Sequence, residues 1–311
     1  MIQSYYEIER KEIMIQIKDV SKSFNNVKIL DKLNCTITDN CIYGLVGANG
    51  SGKSTLLRLI NGIYKQEEGT ITMNGEELFN NATLKQKIVF VPDDLFFYPG
   101  YTLKDMFQFY QALYPKFDEE YAVSLAKMFK LDQNRKISTF SKGMKRQCAL
   151  IASLATNAEY MFFDETFDGL DPVVRNTMKK LIAKKMSEQN TTIIMTSHNL
   201  RELEDICDRL GLLYKGGILF ESEIDNLKTN MYKVQISFAQ EKKKEDFKGI
   251  DILSFKKVGS IITLVIKDEK KTSRKILEKM KPVILDYLPL TLEEIFIYEM
   301  EVLGYEFEEI I

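Results

Sequence analysis

Hydrophobic and polar positions along the chain predict alternating strands and helices. Short apolar runs that are typical of buried parallel strands occur at residues 42–46, 160–163 and 192–196. Apolar residues at helical spacing lie between or beside these runs, at residues 53–63, 142–154 and 174–186. This alternation favours an α/β fold built around a mostly parallel sheet.

The first part of the chain also contains strand signals of another kind. Apolar and polar residues alternate from Met14 to Val20, and Asn74-Gly75 after residues 70–73 is a hairpin turn signal. Helical spacing covers residues 102–130. Residues 1–13 are predicted to be an N-terminal extension, either a disordered leader or the result of a start site placed too early.

The pattern changes near residue 226. Strands with alternating polarity are predicted at 232–238 and 262–266, and a further strand at 283–285, with helices at 272–280 and 292–303. These elements describe a small α+β unit with a core of its own. We therefore expect a main domain over residues 14–225 and an accessory domain over residues 226–311.

Composition excludes several classes of protein. The 311 residues are 45% hydrophobic and 28% charged, which is the balance of a globular protein. A formal net charge of −2 gives no reason to expect a nucleic-acid partner. No apolar run approaches the roughly 18–20 residues that cross a bilayer, and the N-terminus lacks a signal peptide. The four cysteines are scattered, so we expect free thiols in a cytoplasmic protein.

The strand at 42–46 leads into a glycine-rich loop that matches the pattern G-x-x-x-x-G-K-[ST]. Glycines let backbone N–H groups wrap closely around phosphates, and the following helix adds its positive dipole end. Lys53 supplies a mobile charge, and the Ser54 hydroxyl is a predicted Mg²⁺ ligand. The predicted ATP-binding residues are Gly47, Ala48, Asn49, Gly50, Ser51, Gly52, Lys53, Ser54 and Thr55.

Two further carboxylates and the one histidine of the chain follow buried strands. Asp164 is predicted to hold Mg²⁺, through water, and Glu165 to polarise the attacking water as general base. Without the phosphate loop, an Asp-Glu pair at the end of a strand would be ordinary surface charge as often as a catalytic pair. His198 follows the strand at 192–196, where parallel sheets place ligands, and is predicted to contact the γ-phosphate. The alternative is an ordinary core or surface histidine.

The octapeptide from Phe140 to Gln147 resembles the signature L-S-G-G-Q of the ABC transporter ATPases, and the resemblance covers residues 14–225. It implies an ABC cassette of the P-loop NTPase class, with a mostly parallel core sheet, an antiparallel β subdomain and a helical signature subdomain over about residues 95–158. It also implies dimers that enclose two ATP molecules. Ser141, Gly143 and Asp171 would act across the dimer, and Phe24 would stack on adenine.

Three parts of the sequence depart from the family pattern. In the signature, Lys142 stands where glycine is usual and Met144-Lys145 where Gly/Gln-type residues are common. Thr166 replaces the proline after the predicted base. Asp93 occupies the position of a glutamine that contacts magnesium and the membrane partner. A carboxylate can still bind a cation there, so Asp93 is also predicted as a metal ligand. None of these changes removes a catalytic group.

The C-terminal residues resemble the tails of ATPases from bacterial exporters of antibiotics, bacteriocins and other toxic amphiphiles. The resemblance implies an ATPase subunit that dimerises, with an identical or a different second subunit, and drives a separate transmembrane permease from the inner face of the membrane. The alternative is a soluble ABC-type ATPase that remodels a non-membrane assembly. A single cassette, with no heptad insertion and no basic face, favours transport.

Overall fold

The computed structural model describes residues 13–268 and 272–302. Residues 1–12 of the predicted N-terminal extension lie outside these ranges. Residue 303, the last of the predicted C-terminal helix, also lies outside them. The chain divides into two compact units, one ending at Glu221 and the next beginning at Ser222.

Over the described residues the first unit contains seven helices and ten strands, and the last strand continues for two residues into the second unit. The strands are β1 (Ile13–Phe24), β2 (Val27–Thr38), β3 (Ile42–Val46), β4 (Glu68–Met73), β5 (Glu76–Glu77), β6 (Ile88–Val91), β7 (Tyr160–Asp164), β8 (Thr192–Ser197), β9 (Arg209–Tyr214) and β10 (Gly217–Glu223). The helices are α1 (Lys53–Ile60), α2 (Ala82–Lys85), α3 (Leu103–Leu113), α4 (Glu119–Met128), α5 (Lys142–Ala155), α6 (Pro172–Gln189) and α7 (Leu200–Glu204). A short 3-10 helix at Ile137–Thr139 precedes α5.

A six-stranded sheet with the order β10-β9-β3-β8-β7-β6 forms the centre of this unit. The pairs β9–β3, β3–β8, β8–β7 and β7–β6 are parallel. Their carboxyl ends therefore lie at one edge of the sheet, which is where such sheets bind ligands. A second sheet, β2-β1-β4-β5, is antiparallel throughout. The predicted fold class, a parallel core with an antiparallel β subdomain, is confirmed.

The core of the first unit joins the two sheets through α1. Its Leu56 and Leu57 are buried in one apolar cluster with Ile15 and Ile17 of β1 and Leu45 of β3. The eight-residue helix buries its apolar side while its N-terminus remains at the carboxyl edge of the central sheet. Packing of α1 thus fixes where its first N–H groups point.

The helical spacing over residues 102–130 corresponds to two helices, α3 and α4, which are separated at Pro115. Pro115 lacks a backbone N–H, and it forces the preceding residue out of the helical region. Tyr114 accordingly ends α3 with φ −115° and ψ 106°. Thr102 caps α3 in a capping box with Asp105, and Asp118 caps α4.

The second unit has an antiparallel four-stranded sheet with the order β12-β13-β11-β14. Its elements are α8 (Ile224–Asn230), β11 (Met231–Ser237), a 3-10 helix (Lys244–Asp246), β12 (Asp251–Val258), β13 (Ile261–Lys267), α9 (Ser273–Lys279), β14 (Ile284–Leu288) and α10 (Leu292–Val302). Leu264, Val234 and Ile236 of the sheet form an apolar cluster with Leu277 of α9. This unit is α+β and has a separate core.

Leu264→Ala is expected to destabilise the second unit by about 2–5 kcal/mol, because it removes a fully buried side chain from a packed core. Val258→Ala, on the neighbouring strand, is the control, since the side chain of Val258 is 80% exposed. Chemical denaturation of both variants measures the difference. Equal free energies of unfolding would contradict this description of the core.

Candidate functional site

The glycine-rich loop lies between the end of β3 and the start of α1. Gly52 precedes α1 with φ +108°, a left-handed conformation that favours glycine, and no side chain caps the helix. A Cβ at Gly47 would stand 2.4 Å from the carbonyl oxygen of Leu213 and 2.6 Å from Ser51 Oγ. Both positions therefore require glycine. The loop leaves the first N–H groups of α1 available to an anion, as a phosphate site requires.

Lys53 lies at the centre of the site. Its side chain is buried, and its ammonium group donates to the carbonyl oxygens of Gly47, at 2.6 Å, and Ala48, at 3.2 Å. The same Nζ lies 3.4 Å from Glu165 Oε1. Lys53 thus joins the glycine-rich loop to the end of β7, the strand that carries the predicted base.

Asp164, the last residue of β7, is fully buried beside Thr196 of β8. The Thr196 hydroxyl donates to Asp164 Oδ1 at 2.7 Å and accepts from the backbone N–H of Glu165 at 3.0 Å. Asp164 Oδ2 is buried without a hydrogen-bond partner among the described residues. A buried carboxylate oxygen left free in this way suits a cation or its bound water, so the site fits Mg²⁺.

Glu165 and His198 are in direct contact at the ends of β7 and β8. His198 Nδ1 lies 2.8 Å from Glu165 Oε2, and the backbone N–H of His198 donates to the same oxygen at 3.3 Å. Glu165 has φ +47°, a conformation that costs a non-glycine residue about 1–3 kcal/mol and is often found at functional sites. Its side chain is held between Lys53 and His198.

Phe24 ends β1 and is 39% exposed, as a platform for a planar ligand must be. Its ring contacts Tyr64 edge to face, with the centroids 5.3 Å apart, and the ammonium group of Lys22 lies 5.3 Å from its centroid. The predicted adenine platform therefore has a second aromatic wall in Tyr64. Sequence analysis did not single out Tyr64, which has no motif around it.

The predicted cross-subunit residues lie at the start of α5 and α6. Ser141 caps α5 by accepting from the N–H of Met144, and a Cβ at Gly143 would stand 2.9 Å from the carbonyl oxygen of Gly169. Asp171 caps α6 by accepting from the N–H groups of Val173 and Val174. Each of the three residues is therefore placed at a helix start, and Ser141 and Asp171 are exposed.

Lys142, which replaces a glycine of the family pattern, pairs with Asp168 in the same chain at 2.9 Å. This hydrogen bond is the main cause that lowers the pKa of Asp168, and the positive charges of Lys142 and Arg146 lower it further. The segment after the predicted base is thus tied to the first turn of α5.

Asp93 follows β6 and contacts α5. Its carboxylate Oδ1 accepts from Arg146 Nη2 at 3.0 Å, and its carbonyl oxygen accepts from Arg146 Nη1 at 3.3 Å. Sequence analysis gave Arg146 no role, because the two residues are 53 positions apart and no local pattern connects them. The Asp93 carboxylate, which is predicted to bind a cation, therefore forms an ion pair with Arg146 in this structure.

Comparison with known proteins identifies the family. The ABC transporter family model matches residues 30–168. The ABC transporter ATP-binding protein YtrB of Bacillus subtilis is 32% identical over 91% of this chain and 97% of its own length. The linearmycin resistance ATP-binding protein LnrL of the same species is 31% identical over 66% of this chain and 68% of its own. The chain belongs to the ABC transporter ATP-binding proteins.

Solved structures show the same fold. An ATP-binding subunit of an ABC transporter matches with a TM-score of 0.64 and 23% identity, over 69% of this chain and 91% of that one. The dimeric structure of a bacterial ABC transporter cassette matches with a TM-score of 0.62 and 21% identity, over 68% and 99%. The chain is thus the ATP-hydrolysing subunit of an ABC transporter. Among the described residues, no helix has both the length and the apolar character of a membrane span.

Proposed function

We propose that two copies of this cassette, or one copy and a related subunit, use ATP to drive a separate membrane permease that exports a toxic or amphipathic compound. The observation that carries the proposal is the position of Glu165 at one edge of the central sheet, between Lys53 and His198. Its Oε1 lies 3.4 Å from Lys53 Nζ, and its Oε2 lies 2.8 Å from His198 Nδ1. These groups can bind a triphosphate and direct water at it.

In the proposed mechanism the loop from Gly47 to Thr55 holds the phosphates through backbone N–H groups and the Lys53 ammonium. Glu165 accepts a proton from the attacking water, while His198 contacts the γ-phosphate and keeps the Glu165 carboxylate in place. Ser54 and Asp164 would hold Mg²⁺, which supplies charge neutralisation for the phosphates when it is bound. Phe24 would stack on the adenine ring.

We propose that a second chain completes the site by covering the γ-phosphate. The Ser141 hydroxyl and the bare backbone of Gly143, at the positive end of α5, would reach the phosphate from the partner subunit. Asp171 would contact the same interface. Closure on ATP and opening after hydrolysis would then change the shape of the pair, and the permease would follow this change.

Relatives support export. LnrL is named as a linearmycin resistance protein. BcrA of Bacillus licheniformis, a bacitracin transport protein, is 29% identical over 69% of this chain and 71% of its own length. We propose that the permease docks beside the aromatic segment before and within α3, on the inner face of the membrane. Phe96 is 75% and Tyr98 48% exposed there, an apolar patch of the kind that binds partners.

Co-purification from membranes tests this proposal. We expect the tagged chain to bring down a protein with several membrane spans, and Phe96→Ser to weaken its recovery while ATP binding stays unchanged. Val258→Ser is the control, because it removes an equally exposed apolar side chain from the second unit. Recovery only with ribosomes or nucleic acid would contradict the proposal and favour a remodelling ATPase.

A further inference from the structure

Arg146 is an arginine buried in the first unit, on α5. The residue is 1% exposed, and its guanidinium group is always charged. A buried charge needs a partner, since the loss of its hydration is otherwise uncompensated. Among the described residues its hydrogen bonds go to Asp93, through Nη1 and Nη2, while Nε has no partner.

Asp93 belongs to the nucleotide edge of the central sheet. It lies two residues after β6, whose last residue, Val91, pairs with Phe163 of β7. The strand β7 ends at Asp164, and Glu165 follows directly. Asp93 is therefore held by the same pair of strands that position the predicted metal ligand and base.

Arg146 is a buried residue of the helix whose start is to meet the second chain. It lies in the second turn of α5, the helix that begins after Ser141 and contains Gly143. The ion pair between Asp93 and Arg146 therefore connects the ATP-binding edge of a chain to the residues that this chain offers to the ATP of its partner. A helix is rigid over this distance, so the position of Arg146 fixes the position of the helix start.

A second ion pair, Lys142–Asp168, joins the same helix to the loop after Glu165. Its two side chains are 71% and 49% exposed, and exposed ion pairs contribute little because water and salt screen them. The pair formed by Arg146 is shielded on the arginine side. Of the two, it is the one able to hold α5 in a defined position.

We propose that Asp93 and Arg146 are positioning residues: their ion pair sets the start of α5 so that Ser141 and Gly143 meet the ATP bound by the second chain. The inference rests on the proposed function, and it gives Asp93 a role other than that of metal ligand. A neutral glutamine, the usual family residue at this position, would lack the charge that a buried arginine requires.

Both residues are tested in a chain that carries Glu165→Gln, in which ATP is bound and hydrolysis is slow. The variants are Asp93→Asn, Arg146→Met and the double variant. Three quantities are measured for each: the affinity for ATP, the constant for ATP-driven dimerisation, and the Mg²⁺ concentration at half-maximal dimerisation. We expect unchanged ATP binding by single chains, dimerisation weakened about tenfold or more in both variants, and unchanged Mg²⁺ dependence. The double variant should be no worse than either single one.

Two substitutions serve as controls. Asp94→Asn makes the same chemical change at the next residue, which is exposed, and Lys127→Met removes a positive charge from an exposed position on α4. Both should dimerise like the parent chain. Because Asp93 is 53% exposed, Asp93→Asn is expected to fold even if Arg146→Met does not, and circular dichroism checks both.

Different outcomes test the role of the ion pair and the proposed function. A higher Mg²⁺ requirement in Asp93→Asn, absent from Arg146→Met, would make Asp93 a metal ligand and overturn the inference. Parent-like dimerisation of Asp93→Asn would overturn it as well. If the parent Glu165→Gln chain itself formed no dimer in ATP, the proposed function would fail instead.

Discussion

Glu165→Gln is expected to lower ATP turnover about 100-fold or more while ATP binding remains intact. The substitution keeps the shape of the side chain but removes the carboxylate that would accept a proton from water. Glu165 is held by contacts to Lys53 and His198, so a neutral amide can occupy the same place. Phosphate release measures turnover, and a fluorescent ATP analogue measures binding.

Glu159→Gln provides the matched control, because Glu159 directly precedes β7, at the end of the strand opposite to the site, and pairs with Lys87. Its turnover should stay close to that of the parent chain. Unchanged turnover in Glu165→Gln would remove Glu165 from the role of base. It would also leave the contact with His198 without a catalytic meaning.

Lys53→Ala is expected to weaken ATP binding itself, by about tenfold or more, because it removes a charged donor from the phosphate loop. The ammonium group also bridges the carbonyl oxygens of Gly47 and Ala48 to Glu165, so its loss should loosen the loop. Equilibrium binding of the fluorescent ATP analogue measures the effect.

Lys127→Ala, at an exposed position on α4, is the control for charge and should bind ATP like the parent chain. Circular dichroism of both variants shows whether the fold is retained. If Lys53→Ala bound ATP with the parent affinity, the glycine-rich loop could not be the phosphate site.

The fold was predictable where burial imposes a simple pattern. β3, β7 and β8 are buried over their whole length, so their apolar runs mark them in the sequence. β2 escaped prediction because buried and exposed residues alternate irregularly along it. The helical spacing over residues 102–130 did not reveal the break at Pro115, which separates α3 from α4.

The site was predictable where function depends on short local motifs. The glycine-rich loop and the pair Asp164-Glu165 are each contiguous, and parallel pairing of β7 with β8 brings Thr196 and His198 to the same edge. The hydrogen bond from Thr196 to Asp164 and the ion pair of Arg146 with Asp93 join residues far apart in the chain. Such contacts depend on how the elements pack, so they cannot be predicted from the spacing of residues in the sequence.

The central claim is that ATP bound in the glycine-rich loop of one chain is covered by the Ser141 end of α5 from a second chain. Native mass spectrometry of the Glu165→Gln chain in ATP tests it most directly. We expect a complex of two chains with two ATP molecules, which disappears when ATP is removed. A single chain that carries one ATP at saturating nucleotide and high protein concentration would contradict it.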